Sequence, residues 1–195
     1  DLQPGAIVGT SSMRRGAQIR RARPDLQIKS LRGNLQTRLA KLERGDFDAI
    51  VLAEAGLERR GLNMDYARLD GERFVPSANQ GTIIVVSKRG TAAEHHSRAL
   101  DHAPTRTETM IERRILETVG GGCVGPMAVH ACASGRRARV LAEVLSLDGC
   151  RFVRLDEEIS LDDEPLNQAE DMGQRLMKMG GRDLVDEAVK MFGAR

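Results

Sequence analysis

The chain has 195 residues, of which 41% are hydrophobic and 30% charged, and its formal net charge at pH 7 is only +2. This length suits one large or two small domains, and so small a net charge argues against a protein that binds a long phosphate backbone. With no Trp, one Tyr and four Phe, the sequence also lacks the aromatic side chains on which single-stranded nucleic acids stack. We therefore expect no nucleic acid among its partners.

The cysteines and the apolar runs bear on the location of the protein. Cys123, Cys132 and Cys150 are an odd number of thiols at irregular spacing, so no disulfide framework is predicted. The longest apolar runs are far too short to span a bilayer, and no signal-peptide pattern opens the chain. These features favour a reducing, cytoplasmic location without a membrane. We expect Cys132 and Cys150, which fall in or beside predicted strands, to be small core residues.

Strands and helices alternate through the first part of the chain. The predicted strands cover residues 6–9, 26–31 and 48–53. Hydroxyls at Thr10, Ser11 and Ser12 suit the start of a helix that runs to about residue 22, and Asn34 suits the start of a second helix over 35–44. A third, short helix is predicted over 54–60. Strand–helix alternation with tight connections predicts a parallel sheet with right-handed crossovers.

The rhythm changes in the second part. A strand is predicted at 82–87 and a helix at 92–101, and Pro104 then precedes a long amphipathic helix over 105–119. Three strands follow at 128–133, 138–147 and 152–159, with Asp148-Gly149 as a two-residue hairpin turn between the last two. Helices are predicted at 166–179 and 182–192. Strands followed by helices, without alternation, predict a separate small α+β domain with a three-stranded antiparallel sheet.

These patterns divide the chain into three parts. Residues 1–80 form an α/β domain with a parallel or mixed sheet, residues 81–103 a strand–helix segment, and residues 104–195 the small α+β domain.

Basic and hydroxyl side chains follow the ends of the predicted parallel strands, where ligands of open α/β sheets bind. Hydroxyls and free N–H groups at helix starts bind anions, and an arginine fork holds a carboxylate through two bonds. We therefore predict one crevice for a polycarboxylate, lined by Thr10, Ser11, Ser12, Arg14, Arg15, Arg32, Asn34, Arg38 and Arg59. The alternative for any one of these arginines is a solvated surface position, which is where we place Arg20, Arg21 and Arg23.

Cys123 ends a run of three glycines that closes the long predicted helix. Glycines there permit positive φ and a close approach of another group to the backbone. A thiol on such a loop is able to carry a covalent group, although a loop cysteine can also be inert. A zinc site made of Cys123, His130 and Cys132 is not predicted, because the set lacks a fourth ligand and the usual paired spacing.

Four motifs carry a resemblance to a known family. They are Val8-Gly9-Thr10-Ser11-Ser12-Met13-Arg14-Arg15, Ser30-Leu31-Arg32-Gly33-Asn34-Leu35-Gln36-Thr37-Arg38-Leu39, Asp48-Ala49-Ile50-Val51-Leu52-Ala53-Glu54-Ala55-Gly56-Leu57-Glu58-Arg59 and Gly121-Gly122-Cys123-Val124-Gly125-Pro126. In their order and spacing these motifs resemble those of the porphobilinogen deaminase family, also called hydroxymethylbilane synthase. They span residues 8–126, and the rest of the chain is compatible with the family without being diagnostic of it.

The resemblance implies a transferase of porphyrin (haem) biosynthesis, which condenses four porphobilinogen molecules into the linear tetrapyrrole hydroxymethylbilane and releases ammonia at each step. It implies a dipyrromethane cofactor joined to Cys123 through a thioether. The residues that would bind the cofactor carboxylates are Thr10, Ser11, Ser12, Arg14, Arg15 and Arg38, and those that would bind the incoming substrate are Arg32, Asn34 and Arg59. The implied fold is a periplasmic-binding-protein-like domain followed by the domain that carries the cofactor cysteine.

Three departures from the family pattern accompany the resemblance. The family's catalytic aspartate lies in an N-terminal domain, in a motif containing Lys-Asp that this chain lacks, so we expect no catalytic residue here and a missing N-terminal domain as a partner. Residues 81–103 would return to that domain, and their apolar surface would be exposed in its absence. Glu58 stands where a basic residue often precedes the arginine, and Asn79 stands where glycine is common in the hinge.

Two questions stay open on the sequence alone. One is whether the isolated chain turns substrate over. The other is whether the protein is instead a non-catalytic anion-binding module of the periplasmic-binding-protein type, which would need the arginines but not the thiol.

Overall fold

The first half of the molecule is built on a three-stranded parallel sheet. The computed structural model describes residues 2–120 and 125–192. The elements of the first half are β1 (Ile7–Gly9), α1 (Met13–Ala22), β2 (Gln27–Lys29), α2 (Leu35–Glu43), β3 (Ala49–Ile50) and α3 (Glu54–Glu58). The strand order is β2-β1-β3, and both pairings are parallel, as predicted. A small core of Val8, Ile19 and Leu26 lies between this sheet and α1.

Both predicted helix caps are confirmed. The Ser12 hydroxyl accepts a hydrogen bond from the Arg15 N–H at the start of α1. The Asn34 side chain does the same for the Thr37 N–H at the start of α2. Such bonds satisfy N–H groups that have no partner within the helix, so both helices begin directly after their strands.

The second half is an antiparallel sheet covered by helices. Its elements are α4 (Ala92–Ser97), a 3₁₀ turn (Arg98–Leu100), α5 (Ala103–Val119), β4 (Met127–Ser134), β5 (Arg137–Leu145), β6 (Phe152–Ser160), α6 (Pro165–Leu176), a π turn (Met177–Gly181) and α7 (Arg182–Phe192). The strand order is β4-β5-β6 with antiparallel pairing, as predicted. Helices α5 and α6 pack on the sheet and on each other around a core that includes Ile111, Ile115, Val129, Val140, Met172 and Leu176. None of the described helices is both long and apolar enough to cross a membrane.

The predicted strand at 82–87 is absent from the structure. Ile83, Ile84, Val85 and Val86 are 55% to 89% exposed, and within the described residues no strand pairs with this segment. A strand needs a hydrogen-bonded neighbour, so a pattern of β-branched residues does not form one alone. The apolar exposure expected for this segment is therefore observed.

The predicted two-residue turn at Asp148-Gly149 is also wrong. Strand β5 ends at Leu145 and β6 begins at Phe152, and the Ser146 N–H donates to the Arg151 carbonyl at 2.7 Å, which encloses residues 147–150 in the loop. The Asp148 carboxylate accepts from the Cys150 N–H at 2.9 Å and from the Ser146 hydroxyl. These local side-chain bonds favour a wider loop over a tight hairpin.

Neither described cysteine belongs to the core. Cys132 and Cys150 are both exposed, contrary to the expectation that they are buried. Cys132 lies on the same face of β4 as exposed His130, because side chains two residues apart share a face of a strand. Cys150 lies in the loop between β5 and β6.

Candidate functional site

Parallel pairing brings the loops that follow β1, β2 and β3 to one edge of the sheet. The Thr10 N–H donates to the Lys29 carbonyl at 3.0 Å. The Ser11 hydroxyl donates to the Leu31 carbonyl at 2.6 Å, which ties the first loop to the second. The carboxyl ends of the three strands thus meet where the sequence predicts a crevice.

The predicted hydroxyl and amide side chains at this edge hold the loops and the helix starts. The Thr10 hydroxyl accepts from the Ser12 N–H at 3.2 Å, and the Ser12 hydroxyl accepts from the Arg15 N–H at 3.3 Å. The side-chain oxygen (Oδ1) of Asn34 accepts hydrogen bonds from both the backbone N–H and the hydroxyl of Thr37. As a result, the N-termini of α1 and α2 both open on the edge, and helix N-termini favour negative charge.

Arg15 and Arg38 lie close enough to repel each other. Arg15 is half-buried and its Nη1 donates to the Val51 carbonyl at 3.4 Å, whereas the Nε of Arg38 donates to the Gly33 carbonyl at 2.8 Å. Burial lowers the pKa of Arg15, and the positive charge of Arg38 lowers it further. A carboxylate bound between the two guanidinium groups would relieve that repulsion.

Arg14 contacts Val75 and Gln18, whereas Arg15 contacts Val51. Arg14 is 9% exposed, and its Nη1 donates to the Val75 carbonyl at 2.6 Å and to the Gln18 side-chain oxygen at 3.0 Å. Burial and the adjacent Arg15 lower the pKa of Arg14 to about 10, against the opposing effect of the Glu143 carboxylate. Arg14 is thus a desolvated cation held in one orientation.

The arginines of the predicted set form no ion pair among the residues that the structure describes, although the Glu143 carboxylate acts on Arg14 at longer range. Among the ion pairs of the described residues, none involves Arg14, Arg15, Arg32, Arg38 or Arg59. By contrast, the neighbouring Arg21 and Arg23 pair with Glu143 and Asp25. An anionic ligand would find these positive charges without a carboxylate partner in the described part of the chain.

Three predicted site residues are not joined to the cluster by the described contacts. Arg32 and Arg59 are exposed, and no side-chain hydrogen bond between them and Arg14, Arg15 or Arg38 is recorded among the described residues. Cys123 lies outside the described residues. The helix before it ends at Val119, and Gly120 has a φ of +76°, the conformation predicted for a glycine that closes this helix.

Sequence reasoning missed a buried polar group that contacts α1 from the antiparallel sheet. The fully buried Glu143 of β5 accepts from the Gln18 amide at 2.7 Å and from Nη1 of Arg21 at 2.8 Å. The Arg21 side chain is only 17% exposed, so its assignment to the surface is wrong. The available signal was a single carboxylate inside the apolar run from Val140 to Leu145, since a buried charge needs a partner.

Comparisons with known proteins agree with this architecture. Residues 1–96 match the family model described as "Porphobilinogen deaminase, dipyromethane cofactor binding domain", and residues 106–179 match "Porphobilinogen deaminase, C-terminal domain". The first match confirms dipyrromethane as the cofactor of the domain that this part of the chain resembles.

Similar proteins cover nearly the whole chain. A probable porphobilinogen deaminase of Methanococcoides burtonii is 47% identical over 97% of this chain and 62% of its own length. One of Methanosarcina mazei is 47% identical over 97% of the chain and 60% of its length. The porphobilinogen deaminase of Pelobacter propionicus is 38% identical over 95% of the chain and 60% of its length. The chain thus spans about three-fifths of the length of these relatives.

Proposed function

The chain belongs to the porphobilinogen deaminase family, and from that premise we propose that it serves the condensation of four porphobilinogen molecules into hydroxymethylbilane. The enzyme is then a transferase of haem biosynthesis, with porphobilinogen as its substrate and the cytoplasm as its location. Each condensation joins the aminomethyl carbon of one porphobilinogen to the free α-carbon of the growing chain and breaks the carbon–nitrogen bond. The nitrogen leaves as ammonia, which takes up the proton lost from that α-carbon. The identity to relatives over 97% of the chain supports this assignment.

The observation that carries the proposal is the group of arginines at the carboxyl edge of the parallel sheet that form no ion pair within residues 2–120 and 125–192. Each pyrrole unit bears an acetate and a propionate, so the ligand is a polycarboxylate. Arg15 and Arg38 repel each other, and a carboxylate between them removes that repulsion while forming charge-assisted hydrogen bonds. In this proposal the cofactor carboxylates bind to Arg14, Arg15 and Arg38, with the hydroxyl groups of Thr10 and Ser12 and the backbone N–H of Ser11.

In the same proposal the incoming substrate binds at the solvent-exposed side of this edge of the parallel sheet. Arg32 and Arg59 are exposed, which suits a ligand that enters from solvent. Asn34 caps α2 and so keeps the N–H groups of that helix directed at the substrate. We assign no proton-transferring acid to this chain.

Cys123 is the proposed anchor. When bound, dipyrromethane supplies the pyrrole terminus onto which the first porphobilinogen is joined. The role of the Cys123 sulfur is to hold that group by a thioether, so that every addition occurs on a tethered chain at high effective concentration. Glycines before the thiol leave room for the attached group.

The domain organisation is part of the proposal. Residues 1–80 form a periplasmic-binding-protein-like domain, residues 104–195 an α+β domain, and residues 81–103 a segment that pairs with an N-terminal domain of the family. The exposed Ile83–Val86 stretch supports that pairing, because an apolar patch of this kind marks a surface that another part covers.

Mass spectrometry of the intact chain, produced together with the N-terminal domain of a relative, tests the anchor. We expect an added mass of two pyrrole units, and its loss in Cys123→Ser. An unmodified Cys123 under these conditions contradicts the proposal. It favours a non-catalytic anion-binding module, for which Cys123→Ala leaves ligand affinity unchanged.

Arginine variants test the edge itself. Arg38→Ala and Arg15→Ala are expected to lower the fraction of chain that carries the added mass. Arg44→Ala is the matched control, because Arg44 follows α2 but already pairs with Asp46. Equal loading in all three variants would contradict the assignment of the site.

A further inference from the structure

A buried chain of hydrogen bonds links Arg14 to the antiparallel sheet. Arg14 donates to the Gln18 side-chain oxygen at 3.0 Å, and the Gln18 amide donates to Glu143 of β5 at 2.7 Å. Gln18 is 1% exposed and Glu143 is fully buried. The amide of Gln18 is therefore oriented from both ends, with its oxygen toward the cation and its nitrogen toward the carboxylate.

The same amide also reaches the segment between the two sheets. Nε2 of Gln18 donates to the Val75 carbonyl at 2.8 Å, and Nη1 of Arg14 donates to that carbonyl at 2.6 Å. Two donors thus converge on one buried carbonyl, and Nη1 of Arg14 has two acceptors. Within the described residues these are the only hydrogen bonds of the Arg14 side chain, so its Nε and Nη2 stay available to a ligand.

Two guanidinium groups lie beside the Glu143 carboxylate. Arg21 lies at 2.8 Å and Arg154 at 3.5 Å from its Oε2. Loss of the Glu143 carboxylate would leave Arg21 and Arg154 without this partner in a largely buried place, which is destabilising. The hydrogen bonds from Arg14 through Gln18 to Glu143 also fix the orientation of the Arg14 guanidinium group, because each hydrogen bond forms only within a narrow range of angles and distances.

We propose that Gln18 and Glu143 are positioning residues for Arg14, so that contact between the antiparallel sheet and α1 sets the direction in which this arginine meets the cofactor carboxylates. The inference rests on the proposed function, which makes Arg14 a ligand of those carboxylates. Neither Gln18 nor Glu143 contacts the ligand in this scheme, because both act through the guanidinium group.

The test measures affinity without covalent attachment. The full chain carries Cys123→Ala, and the probe is free dipyrromethane with two acetate and two propionate groups, titrated by calorimetry. Gln18→Met keeps the volume of the side chain and removes the amide, whereas Glu143→Gln removes the charge. We expect either change to weaken binding by about 10- to 150-fold, the range that one hydrogen bond to a charged group supplies.

Arg20→Met is the matched control. Nη1 of Arg20 donates to the Leu147 carbonyl at 3.0 Å, so it joins α1 to the loop between β5 and β6 without a hydrogen bond to Gln18 or Glu143. This variant is expected to lower the midpoint of thermal unfolding and to keep the dissociation constant within about twofold. If Arg20→Met weakens binding of the probe as much as Gln18→Met does, the hydrogen bonds of Gln18 and Glu143 only stabilise the contact between α1 and the antiparallel sheet, and the inference is overturned.

A spectroscopic measurement reports on Arg14 directly. Bonds from Nη1 to two acceptors slow rotation of the guanidinium group, so nitrogen NMR should show separate Nη resonances for Arg14. Gln18→Met should broaden or merge them, and Arg20→Met should not. Unchanged Arg14 resonances in Gln18→Met overturn the inference even if Glu143→Gln fails to fold.

Arg14→Ala distinguishes a failure of the positioning role from a failure of the proposed cofactor site. If Arg14→Ala loses affinity while Gln18→Met does not, the positioning role is wrong and the proposed site stands. If the chain does not bind the probe, or binds it equally well without Arg14, the proposed site is wrong at this arginine and the inference is overturned with it.

Discussion

Gly149 allows the loop between β5 and β6 to approach the backbone of α1, and replacing it with alanine should disrupt that contact. Gly149 has a φ of +76°, and a Cβ there would lie 2.4 Å from the Ala17 carbonyl oxygen and 2.8 Å from the Arg21 nitrogen. The left-handed backbone costs a non-glycine residue about 1–2 kcal/mol, and overpacking adds about 1–3 kcal/mol. We therefore expect Gly149→Ala to lower the free energy of unfolding by about 2–5 kcal/mol.

Urea unfolding of the intact chain measures this loss, and Gly45→Ala isolates its cause. Gly45 has a φ of +77° with nothing within 4 Å of a built Cβ, so its variant carries the backbone cost alone. The difference between the two variants is the cost of the close approach, at least about 1 kcal/mol. Equal losses in both would refute the reasoning that this loop is seated against α1.

Three further outcomes follow from single contacts. Ser12→Ala should lower the free energy of unfolding by about 1 kcal/mol in urea titrations, because it removes the cap of α1. Val86→Ser should change it by less than about 0.5 kcal/mol, because Val86 is 89% exposed. A hydrogen bond that the His130 ring donates to the Glu112 carboxylate raises the pKa of His130. The stability that His130 contributes is therefore complete below its ordinary pKa of about 6.5 and is lost as pH rises through the higher folded value. The difference in unfolding free energy between wild type and His130→Gln should shrink over that interval, and a difference that does not vary with pH would contradict it.

The features that sequence predicts well in this chain are those with local causes. Ser12 and Asn34 cap their helices with side-chain bonds to residues three positions away, and such bonds depend on nothing distant in the chain. Glycine at position 120 ends α5 by the same kind of local preference. The parallel sheet follows because short connections between strands and helices permit few other arrangements.

The predictions that were wrong depend on residues far away in the sequence. Whether 82–87 becomes a strand depends on a partner, and Cys132 is exposed because the helices cover the other face of β4. The Gln18–Glu143 bond joins residues 125 positions apart, and no local pattern at Gln18 indicates it. The candidate site shows the same division, since its helix starts were predictable and the distinct surroundings of Arg14 were not.

Helix α1 separates two adjacent arginines by its geometry. Arg14, Gln18 and Arg21 follow the i, i+4, i+7 spacing of one helix face, and that face meets Val75 and Glu143. Arg15 is turned by about 100° around the helix and donates to the Val51 carbonyl, beside the parallel sheet. One arginine is therefore tied to the antiparallel sheet and the next to the parallel sheet. The two guanidinium groups therefore have different supports, the Gln18 side chain and the Val75 carbonyl for Arg14 and the Val51 carbonyl for Arg15, although the two residues are adjacent in the chain.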